Sequence, residues 1–410
     1  MYYTKHRLQR APKVSAIAGE GMSTRKIGIG IIGMGWMGTV HSRAYRAIPD
    51  RFPTCDIVPE LIICADEHEA RAEGARKRFG FAECTTDWRQ VLSHPEVDVV
   101  NIATPNHLHL EQATAAVAAG KHVLCEKPVG RNPEETAAIA HAAEKAGVIT
   151  WVGFNYRWPP AVQRTLELIQ DGTLGQLTHY RGWFLVGYAS DPYSVLSWRL
   201  QEDLAGMGAL GDLMSHAADM AMMLVGPITR VIGQRETFIK ERPVATPGQG
   251  DHYTTNKDGP TAPVTNEDYV SALVRFQNGV HGTLETCRVI QGPQSEIGFS
   301  IHGTKGSIRW DFERMNEFEL YLAKDEPERG YRRVMTGPQH PLHAHFSPDA
   351  GIGLGYDDLK AIEAFHFMQS VARGEQGEPG FEQVLAVAEV QSAIKRSWAS
   401  ESWEHIKPID

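Results

Sequence analysis

A glycine-rich turn between an apolar strand and a helix constrains the fold of this chain most strongly. Residues 27–32 are all Ile or Gly, the motif GMGWMG follows at 33–38, and a helical stretch then runs to Pro49. In such a turn the first glycine permits the bend, the second admits a pyrophosphate, and the third lets the helix pack on the strand. Because strand, motif and helix occur together, they predict a dinucleotide-binding unit rather than a tight turn without a ligand.

Asp66 follows the next predicted strand, residues 61–65. It comes later than the roughly 20-residue spacing usual for a ribose-binding carboxylate, because residues 51–59 are interposed. A carboxylate here accepts hydrogen bonds from both ribose hydroxyls and repels a 2′-phosphate, so NAD is favoured over NADP. Arg71 nearby keeps NADP as the alternative, and a helix-capping role for Asp66 also stays open.

Residues 26–153 alternate short β-branched runs with helical stretches. The predicted strands are 27–32, 61–65, 97–103, 122–125 and 149–152, a pattern that builds a parallel sheet with helices on both faces. Asn132 is a candidate helix cap with Pro133 at the first helical position, and Gly147 a candidate helix end. We therefore expect an α/β fold with an N-terminal doubly wound Rossmann domain.

The pattern changes after residue 153, where one helix (161–170) precedes longer alternating runs. These runs are residues 177–186, 228–239, 269–276, 280–289, 296–302 and 307–312, and Asn278-Gly279 predicts a hairpin between two of them. Residues 154–410 are expected to form an α+β domain for substrate binding and oligomerisation. Its largely antiparallel, open-faced sheet has helices on one face, and the closing helices at 358–398 pack on the scaffold. The other face is expected to be covered by another subunit, in a homodimer or homotetramer.

Composition excludes several classes of protein. With 41 Lys plus Arg against 50 Asp plus Glu, the net charge is −9, which leaves no basic footprint for nucleic acid. No run approaches the roughly 18 apolar residues of a membrane span. Five scattered cysteines and the absence of a secretory signal favour a cytoplasmic protein with reduced thiols. Residues 1–25 are expected to be a loose tail, whose role stays open.

Lys127 lies in the motif EKP at residues 126–128, which directly follows the predicted strand at 122–125. The carboxyl edge of a doubly wound sheet is where ligands bind. An ammonium beside a cationic nicotinamide has a lowered pKa, which suits it to proton exchange with a substrate hydroxyl. A surface lysine is the alternative.

Asp212 and His216 are spaced i, i+4 on a predicted helix after the small-residue turn at 206–211. This spacing puts both side chains on one face, where the carboxylate can orient the imidazole and stabilise its protonated form. A capping pair is one alternative. Half of a metal site is another, with a third ligand from His340, His343 or His345.

The motifs in order resemble one enzyme family. They are GMGWMG (33–38), ATPNHLH (103–109), GKHVLCEKP (120–128), GFNYR (153–157) and GDLMSH (211–216). Together they resemble the glucose-fructose oxidoreductase, inositol dehydrogenase (Gfo/Idh/MocA) family over residues 26–398. The resemblance implies NAD(P)-dependent hydride transfer at a sugar or polyol carbon, with Lys127, Asp212 and His216 as the catalytic residues.

Within the family, SWR at 197–199, TGP at 336–338 and GIGLGY at 351–356 are similar to a subgroup that oxidises a pyranose at C3. The expected substrate is therefore a sugar, glycoside or polyol, and a levoglucosan-like sugar or a glucoside is the preferred candidate. A myo-inositol-type dehydrogenase, a redox-neutral glycosidase that retains NAD, and a non-catalytic NAD sensor remain alternatives. Substrate differences are expected in the loop at 244–264.

The expected site divides into cofactor and substrate contacts, with no metal. The cofactor contacts are Gly33, Gly35, Trp36, Met37, Gly38, Asp66, Thr104, Pro105, Asn106, His109, Glu126 and Lys127. The substrate contacts are Lys127, Asn155, Tyr156, Arg157, Trp198, Arg199, Asp212 and His216. For Asn155, Tyr156, Arg157, Trp198 and Arg199, packing or an ion pair is the alternative. In the expected mechanism His216 takes the hydroxyl proton, Asp212 steadies the resulting cation, and Lys127 stabilises the alkoxide.

Overall fold

A computed structural model describes residues 25–245, 254–325 and 327–407 of the chain. All but the last residue of the expected N-terminal tail, and positions 246–253 of the loop at 244–264, therefore lie outside the described residues. No helix within the described ranges is long and apolar enough to cross a membrane.

The first half of the chain builds a six-stranded parallel sheet in the order β3-β2-β1-β4-β5-β6. Its strands are β1 (Arg25–Ile32), β2 (Ile57–Ala65), β3 (Glu83–Thr85), β4 (Val99–Ile102), β5 (His122–Cys125) and β6 (Thr150–Val152). The helices between them are α1 (Trp36–Arg51), α2 (Glu69–Phe79), α3 (Arg89–Ser93), α4 (His109–Ala118) and α5 (Pro133–Ala146). This is the predicted Rossmann fold, and β3 and α3 are the elements that the sequence patterns missed.

Local sequence signals explain the ends of α5. The Asn132 side chain accepts a hydrogen bond from the Glu135 amide at 2.8 Å, and Pro133 occupies the first turn. Gly147 ends the helix in the left-handed region, with φ of 67°. Both predictions are confirmed, because a capping side chain and a Cβ-free residue satisfy the end groups that a helix leaves unpaired.

The second half of the chain builds a nine-stranded sheet in the order β16-β15-β14-β13-β7-β12-β11-β8-β17. A separate ribbon pairs β9 with β10. The strands are β7 (Leu177–Val186), β8 (Ile228–Glu236), β9 (Glu241–Pro243), β10 (Thr261–Pro263), β11 (Tyr269–Phe276), β12 (His281–Cys287), β13 (Ser295–Gly303), β14 (Gly306–Asp311), β15 (Glu317–Leu322), β16 (Arg332–Met335) and β17 (Glu404–His405). The sheet is largely antiparallel, as predicted; β12 and β7 pair in parallel.

The hairpin predicted at Asn278-Gly279 is present. β11 and β12 pair antiparallel on either side of it, and Gly279 has φ of 86°. The five strands β9, β10, β15, β16 and β17 were not predicted. β9, β10 and β17 have only two or three residues, which is too short for an alternating pattern to be read from sequence.

The helices of the second half cover one face of this sheet and reach the first half. They are α6 (Pro160–Gln170), α7 (Glu202–Ala205), α8 (Ala209–Asp212), α9 (Met214–Val225), α10 (Tyr356–Arg373) and α11 (Phe381–Ser400). Helix α9 packs on β7 and β12, and α11 packs on β8 as well as on α5. Helix α10 packs on α1, so residues late in the chain lie against the half that contains the parallel sheet.

Candidate active site

The glycine turn has the geometry that a bound pyrophosphate requires. Gly33 has φ of 91°, and a Cβ there would lie 2.8 Å from the Ala103 carbonyl oxygen. A Cβ on Gly38 would lie 1.9 Å from the Gly33 carbonyl oxygen, so this glycine lets α1 pack against β1. A Cβ on Gly35 would meet nothing within 4 Å, which leaves open space beside the start of α1.

Asp66 is fixed at the end of β2. Its Oδ2 accepts a hydrogen bond from the Met34 amide at 2.9 Å, and its Oδ1 accepts one from the His68 amide at 3.0 Å. Arg71 Nη1 donates to Oδ1 at 3.2 Å. The carboxylate therefore faces the glycine turn, as a ribose-binding group must, with its two oxygens held by backbone amides.

Residues of the loop after β4 divide between the cavity wall and its support. Thr104, Pro105 and Asn106 line the cavity, and Asn106 Nδ2 donates to the Ala205 carbonyl oxygen at 2.9 Å. His109 is buried behind them, with ring nitrogens 2.8 Å from the Thr104 oxygen and 2.9 Å from the Pro128 oxygen. His109 thus positions the loop instead of forming the wall, contrary to the expectation of a direct cofactor contact.

Trp36 and Met37 are tied to the start of α10. The Trp36 ring is 65% exposed and stacks on Tyr356, with ring centroids 5.5 Å apart. The Tyr356 hydroxyl donates to Met37 Sδ at 3.8 Å. All three residues line the cavity, so a residue of the second half, which sequence analysis did not assign to the site, completes the wall beside the glycine turn.

Lys127 and Asp212 form an ion pair across the cavity. Lys127 Nζ donates to Asp212 Oδ1 at 2.7 Å and to the Asp212 carbonyl oxygen at 3.1 Å. Tyr188 donates its hydroxyl to Asp212 Oδ2 at 3.0 Å. The two Asp212 carboxylate oxygens therefore bind Lys127 and Tyr188 instead of the His216 ring, while the Asp212 charge still acts against burial to raise the His216 pKa.

The predicted helix is divided into two segments at this point. Helix α8 ends at Asp212 and α9 begins at Met214, so Asp212 and His216 lie on successive helical segments. Leu213 between them keeps a right-handed helical conformation, so Asp212 and His216 stay on neighbouring turns. Tyr188, which follows β7, carried no sequence signal that would have identified it.

The charges at this pair are well defined. Burial opposes ionisation of Asp212, but the Lys127 and Arg199 cations outweigh burial and hold the Asp212 pKa well below its ordinary value. Burial raises the pKa of the Tyr188 hydroxyl, and the Asp212 carboxylate raises it further. At neutral pH Asp212 is a carboxylate and Tyr188 a protonated donor.

His216 is buried beside three aromatic rings. Its ring centroid lies 4.8 Å from that of Tyr156, 5.6 Å from that of Phe154 and 5.9 Å from that of Phe184. Burial lowers the pKa of His216 well below its ordinary value, and the Lys127 cation lowers it further. The imidazole is therefore neutral and able to accept a proton.

The motif GFNYR at 153–157 divides between the cavity and the core. Asn155 and Tyr156 line the cavity. Arg157 does not; its Nε and Nη2 donate to the two carboxylate oxygens of Asp219, which is buried with it. Its expected substrate contact is corrected to the ion-pair alternative, because a buried bidentate pair holds the guanidinium in the core.

Trp198 and Arg199 lie together on the cavity wall. The Arg199 guanidinium carbon lies 4.3 Å from the centre of the Trp198 ring. The Arg199 carbonyl oxygen accepts hydrogen bonds from Asn266 Nδ2 at 3.1 Å and Arg288 Nη1 at 3.2 Å. This segment is therefore held from the side of β12.

The three loop histidines lie away from Asp212 and His216. His345 Nδ1 lies 3.1 Å from the Arg51 carbonyl oxygen, and His340 Nδ1 accepts a hydrogen bond from the Gly337 amide. None of the three is among the residues that line the cavity. The hypothesis that one of them completes a metal site with Asp212 and His216 is therefore wrong.

Asp66, Lys127 and Asp212 share one cavity of about 1330 Å³, which extends from the glycine turn to His216. Two buried polar atoms on its wall, Asn155 Nδ2 and Ser197 Oγ, have no hydrogen-bond partner in the described part of the chain. Buried polar groups normally have partners. Together with the open space at Gly35, these atoms fit a cavity that takes a dinucleotide and a polar second ligand.

Two family models match the chain. One is described as "Oxidoreductase family, NAD-binding Rossmann fold" and matches residues 27–154. The other is described as "GFO/IDH/MocA C-terminal domain" and matches residues 162–309. Together they cover more than half of the chain.

Individual relatives match nearly the whole chain. The levoglucosan dehydrogenase of Pseudarthrobacter phenanthrenivorans is 41% identical over 94% of this chain and 99% of its own length. A solved levoglucosan dehydrogenase in complex with NADH and levoglucosan has a TM-score of 0.87 at 40% identity, covering 93% of this chain and 100% of that one. An NAD-binding oxidoreductase from Klebsiella pneumoniae has a TM-score of 0.87 at 36% identity, covering 94% and 100%.

Proposed function

The chain belongs to the Gfo/Idh/MocA family of NAD-dependent oxidoreductases, and on this premise we propose that it oxidises a pyranose secondary hydroxyl at C3. The proposed substrate is levoglucosan or a glucoside. The substrate class follows from the relatives, which include a levoglucosan dehydrogenase that matches 94% of this chain.

One observation carries the proposal for this chain itself. Lys127, Asp212 and His216 line the same cavity as Gly33 and Asp66. A dehydrogenase needs a proton acceptor and a group that stabilises an alkoxide close to the coenzyme, and a binding module without chemistry needs neither.

NAD, when bound, accepts the hydride from the substrate carbon. We assign its pyrophosphate to the glycine turn, with Gly35 offering the open approach, and its adenosine ribose to Asp66. Asn155 is assigned to polar contacts toward the nicotinamide end of the cavity. Arg71 Nη1 lies 3.2 Å from Asp66 Oδ1. The carboxylate therefore partly neutralises the cation that would hold a 2′-phosphate, which supports NAD over NADP.

Residues of both halves accept the proton and stabilise the alkoxide. His216, neutral and buried, accepts the proton of the substrate hydroxyl at a ring nitrogen. Lys127 donates a hydrogen bond to the same oxygen as negative charge develops there. Asp212 holds the Lys127 ammonium at 2.7 Å, and Tyr188 holds Asp212. The role of Asp212 is therefore to orient Lys127.

The substrate segment and its contacts are proposed on similar grounds. Trp198 and Arg199 present an aromatic face and a cation, Ser197 an unpartnered hydroxyl, and Tyr156 a ring beside His216. Sugar rings present axial C–H groups to aromatic faces and hydroxyls to polar groups. We assign these residues to the pyranose ring.

The test is direct. Purified protein is incubated with NAD and, separately, levoglucosan, glucose, myo-inositol or an aryl glucoside, and the absorbance of NADH is followed. NADH formation that is fastest with levoglucosan or a glucoside supports the proposal. NADH only with myo-inositol overturns the substrate assignment, and aglycone release without NADH indicates the redox-neutral glycosidase.

We also propose that the protein is a cytoplasmic homo-oligomer that assembles through the face of the nine-stranded sheet that the described residues leave uncovered. Helices α9 and α11 pack on the other face. On the uncovered face Leu273 is 51% exposed, and His179 and His302 stack with ring centroids 4.2 Å apart. Light scattering of the purified protein tests this: a mass of two or four chains is expected, and Leu273→Lys should reduce it.

The division into residues 26–153 for NAD and 154–410 for substrate and assembly is part of the same proposal. The match of the first family model to residues 27–154 supports the boundary. Helix α10 lies within residues 154–410 of the sequence, but it packs on α1 of the first unit.

A further inference from the structure

Four ionisable side chains form a buried cluster behind the cavity wall. His41 lies in α1, Glu126 follows β5, and Lys360 and Glu363 lie in α10. Glu126 is 6% exposed and the other three are fully buried. Glu126 is also the member of this buried charge cluster that lines the cavity. Side chains distant in sequence therefore determine the state of one carboxylate at the site.

Glu126 Oε1 is held by two donors. Lys360 Nζ donates to it at 2.8 Å, and His41 Nε2 lies at 2.8 Å from the same oxygen. Lys360 Nζ also donates to Glu363 Oε1 at 2.9 Å. The other oxygen, Oε2, accepts a longer bond of 3.3 Å from the Lys127 amide. The carboxylate is thus fixed directly beside the residue that pairs with Asp212.

Gly153 provides the room for this carboxylate. A Cβ at this position would lie 2.7 Å from both Oε1 and Oε2 of Glu126. No side chain fits so close to two oxygens that are held in place by charged partners. The glycine of the GFNYR motif is therefore explained by the position of Glu126.

The charge distribution in the cluster follows from its contacts. Burial raises the pKa of Glu126, but the Lys360 ammonium and the His41 bond outweigh burial and hold this pKa well below its ordinary value. Burial, helped by Lys360, lowers the pKa of His41. Burial raises the pKa of Glu363 to about 7. Lys360 and Glu126 are therefore the main opposite charges at neutral pH.

A metal ion is the alternative use of this cluster. His41, Glu126 and Glu363 bring ligand atoms close enough together to hold one. The Lys360 ammonium, however, lies within hydrogen-bond distance of both carboxylates. Since this ammonium already supplies the positive charge between the two carboxylates, the geometry favours an ion-paired lysine over a bound metal ion.

We propose that Lys360 is a positioning residue for the coenzyme: it fixes Glu126 as a carboxylate on the cavity wall, so that the site binds the oxidised, cationic nicotinamide in preference to the reduced, neutral one. The inference rests on the proposed function, because hydride transfer near Lys127 brings the nicotinamide close to its neighbour Glu126. A buried negative charge stabilises a nearby cation. After hydride transfer that attraction is lost, which favours release of NADH.

The test is the ratio of the two dissociation constants, Kd for NADH over Kd for NAD⁺, measured by calorimetric titration without substrate. Wild type is compared with Lys360→Met, Glu126→Gln and the double variant. We expect each single substitution to lower the ratio on the order of 10-fold, and the double variant to match Glu126→Gln. This non-additivity is the signature of a residue that acts through another.

Two results would overturn the proposal. One is an equal weakening of both coenzymes in Lys360→Met, which leaves the ratio unchanged and indicates a merely structural role. The other is a further fall of the ratio in the double variant relative to Glu126→Gln. Should Lys360→Met fail to fold because it leaves a buried charge unpaired, the comparison of the charge-balanced double variant with Glu126→Gln carries the test alone.

The controls separate this inference from the proposed function. Lys360→Arg keeps the positive charge and is expected to retain the wild-type ratio. Lys395→Met removes an exposed lysine of α11 that pairs with Glu202, and should change nothing. A wild-type protein that binds NAD⁺ in preference to NADH but oxidises no sugar would contradict the proposed function and leave the role of Lys360 standing.

Discussion

Asp212 binds Lys127, its partner 85 positions away in the chain, with 2.7 Å between Oδ1 and Nζ. The lysine lies at the carboxyl edge of the first sheet, and the aspartate ends a short helix of the second half. The pair therefore connects the first half of the chain to the second at the point where both line the cavity. A change on either side of this pair should therefore alter the position of the ammonium that we assign to the substrate oxygen.

Replacing Lys127 by Ala tests the role of that ammonium. Without a cation to stabilise the alkoxide, turnover should fall on the order of 100-fold or more, while NAD binding persists. Steady-state NADH formation and a separate NAD titration measure the two quantities. Lys145→Ala, an exposed lysine in α5, is the matched control, and near-normal turnover of Lys127→Ala would contradict the assigned role.

The lowered pKa of His216 sets where the oxidation rate is expected to fall on the acid side of the pH profile. Burial and the Lys127 cation depress its pKa well below the ordinary value, and a base works only while it is unprotonated. The rate of sugar oxidation should therefore persist as the pH falls past the ordinary histidine pKa of about 6.5 and decline only well below it. A kcat profile with its acid midpoint at or above that value would refute the assignment.

The Tyr188 hydroxyl is expected to matter through Asp212. Tyr188→Phe keeps the ring but removes the donor that holds Asp212 Oδ2, so Asp212 orients Lys127 less well. We expect kcat to fall on the order of 10-fold, with little change in KM for NAD. Tyr193→Phe, an exposed tyrosine of the same segment, is the control. An effect confined to KM would argue for a substrate contact instead.

Asp66 is predicted to select the coenzyme. Asp66→Ser removes the carboxylate that repels a 2′-phosphate and releases Arg71 to bind one. The ratio of kcat/KM with NAD to kcat/KM with NADP should fall on the order of 10-fold. Asp50→Ser, an exposed carboxylate at the end of α1, should leave the ratio unchanged. A wild-type enzyme that prefers NADP would remove the claim.

Features set by neighbouring residues were predictable from the sequence. The glycine turn, the Asn132 cap and the Asn278-Gly279 hairpin each depend on backbone demands within a few positions, and all three were predicted. The alternation of strands and helices gave both fold classes for a similar reason. The strands that were missed are mostly short, and their position depends on pairing partners distant in the chain.

The partners of the site residues were not predictable in the same way. Asp212 was expected to serve His216, four positions away, but it binds Lys127 and Tyr188. Arg157 was expected to meet substrate, but it binds Asp219. Lys360 carried no signal at all, because nothing local to α10 reveals that it packs beside Glu126. Pairings of this kind depend on how the two halves dock.

Transfer of deuterium from carbon to coenzyme tests the central claim most directly. Levoglucosan labelled with deuterium at C3 is incubated with NAD and the purified enzyme, and the reduced coenzyme is analysed by mass spectrometry. The account predicts NADH that carries one deuterium and forms more slowly than with unlabelled sugar. Unlabelled NADH, or no NADH from either levoglucosan or a glucoside labelled in the same way, would contradict it.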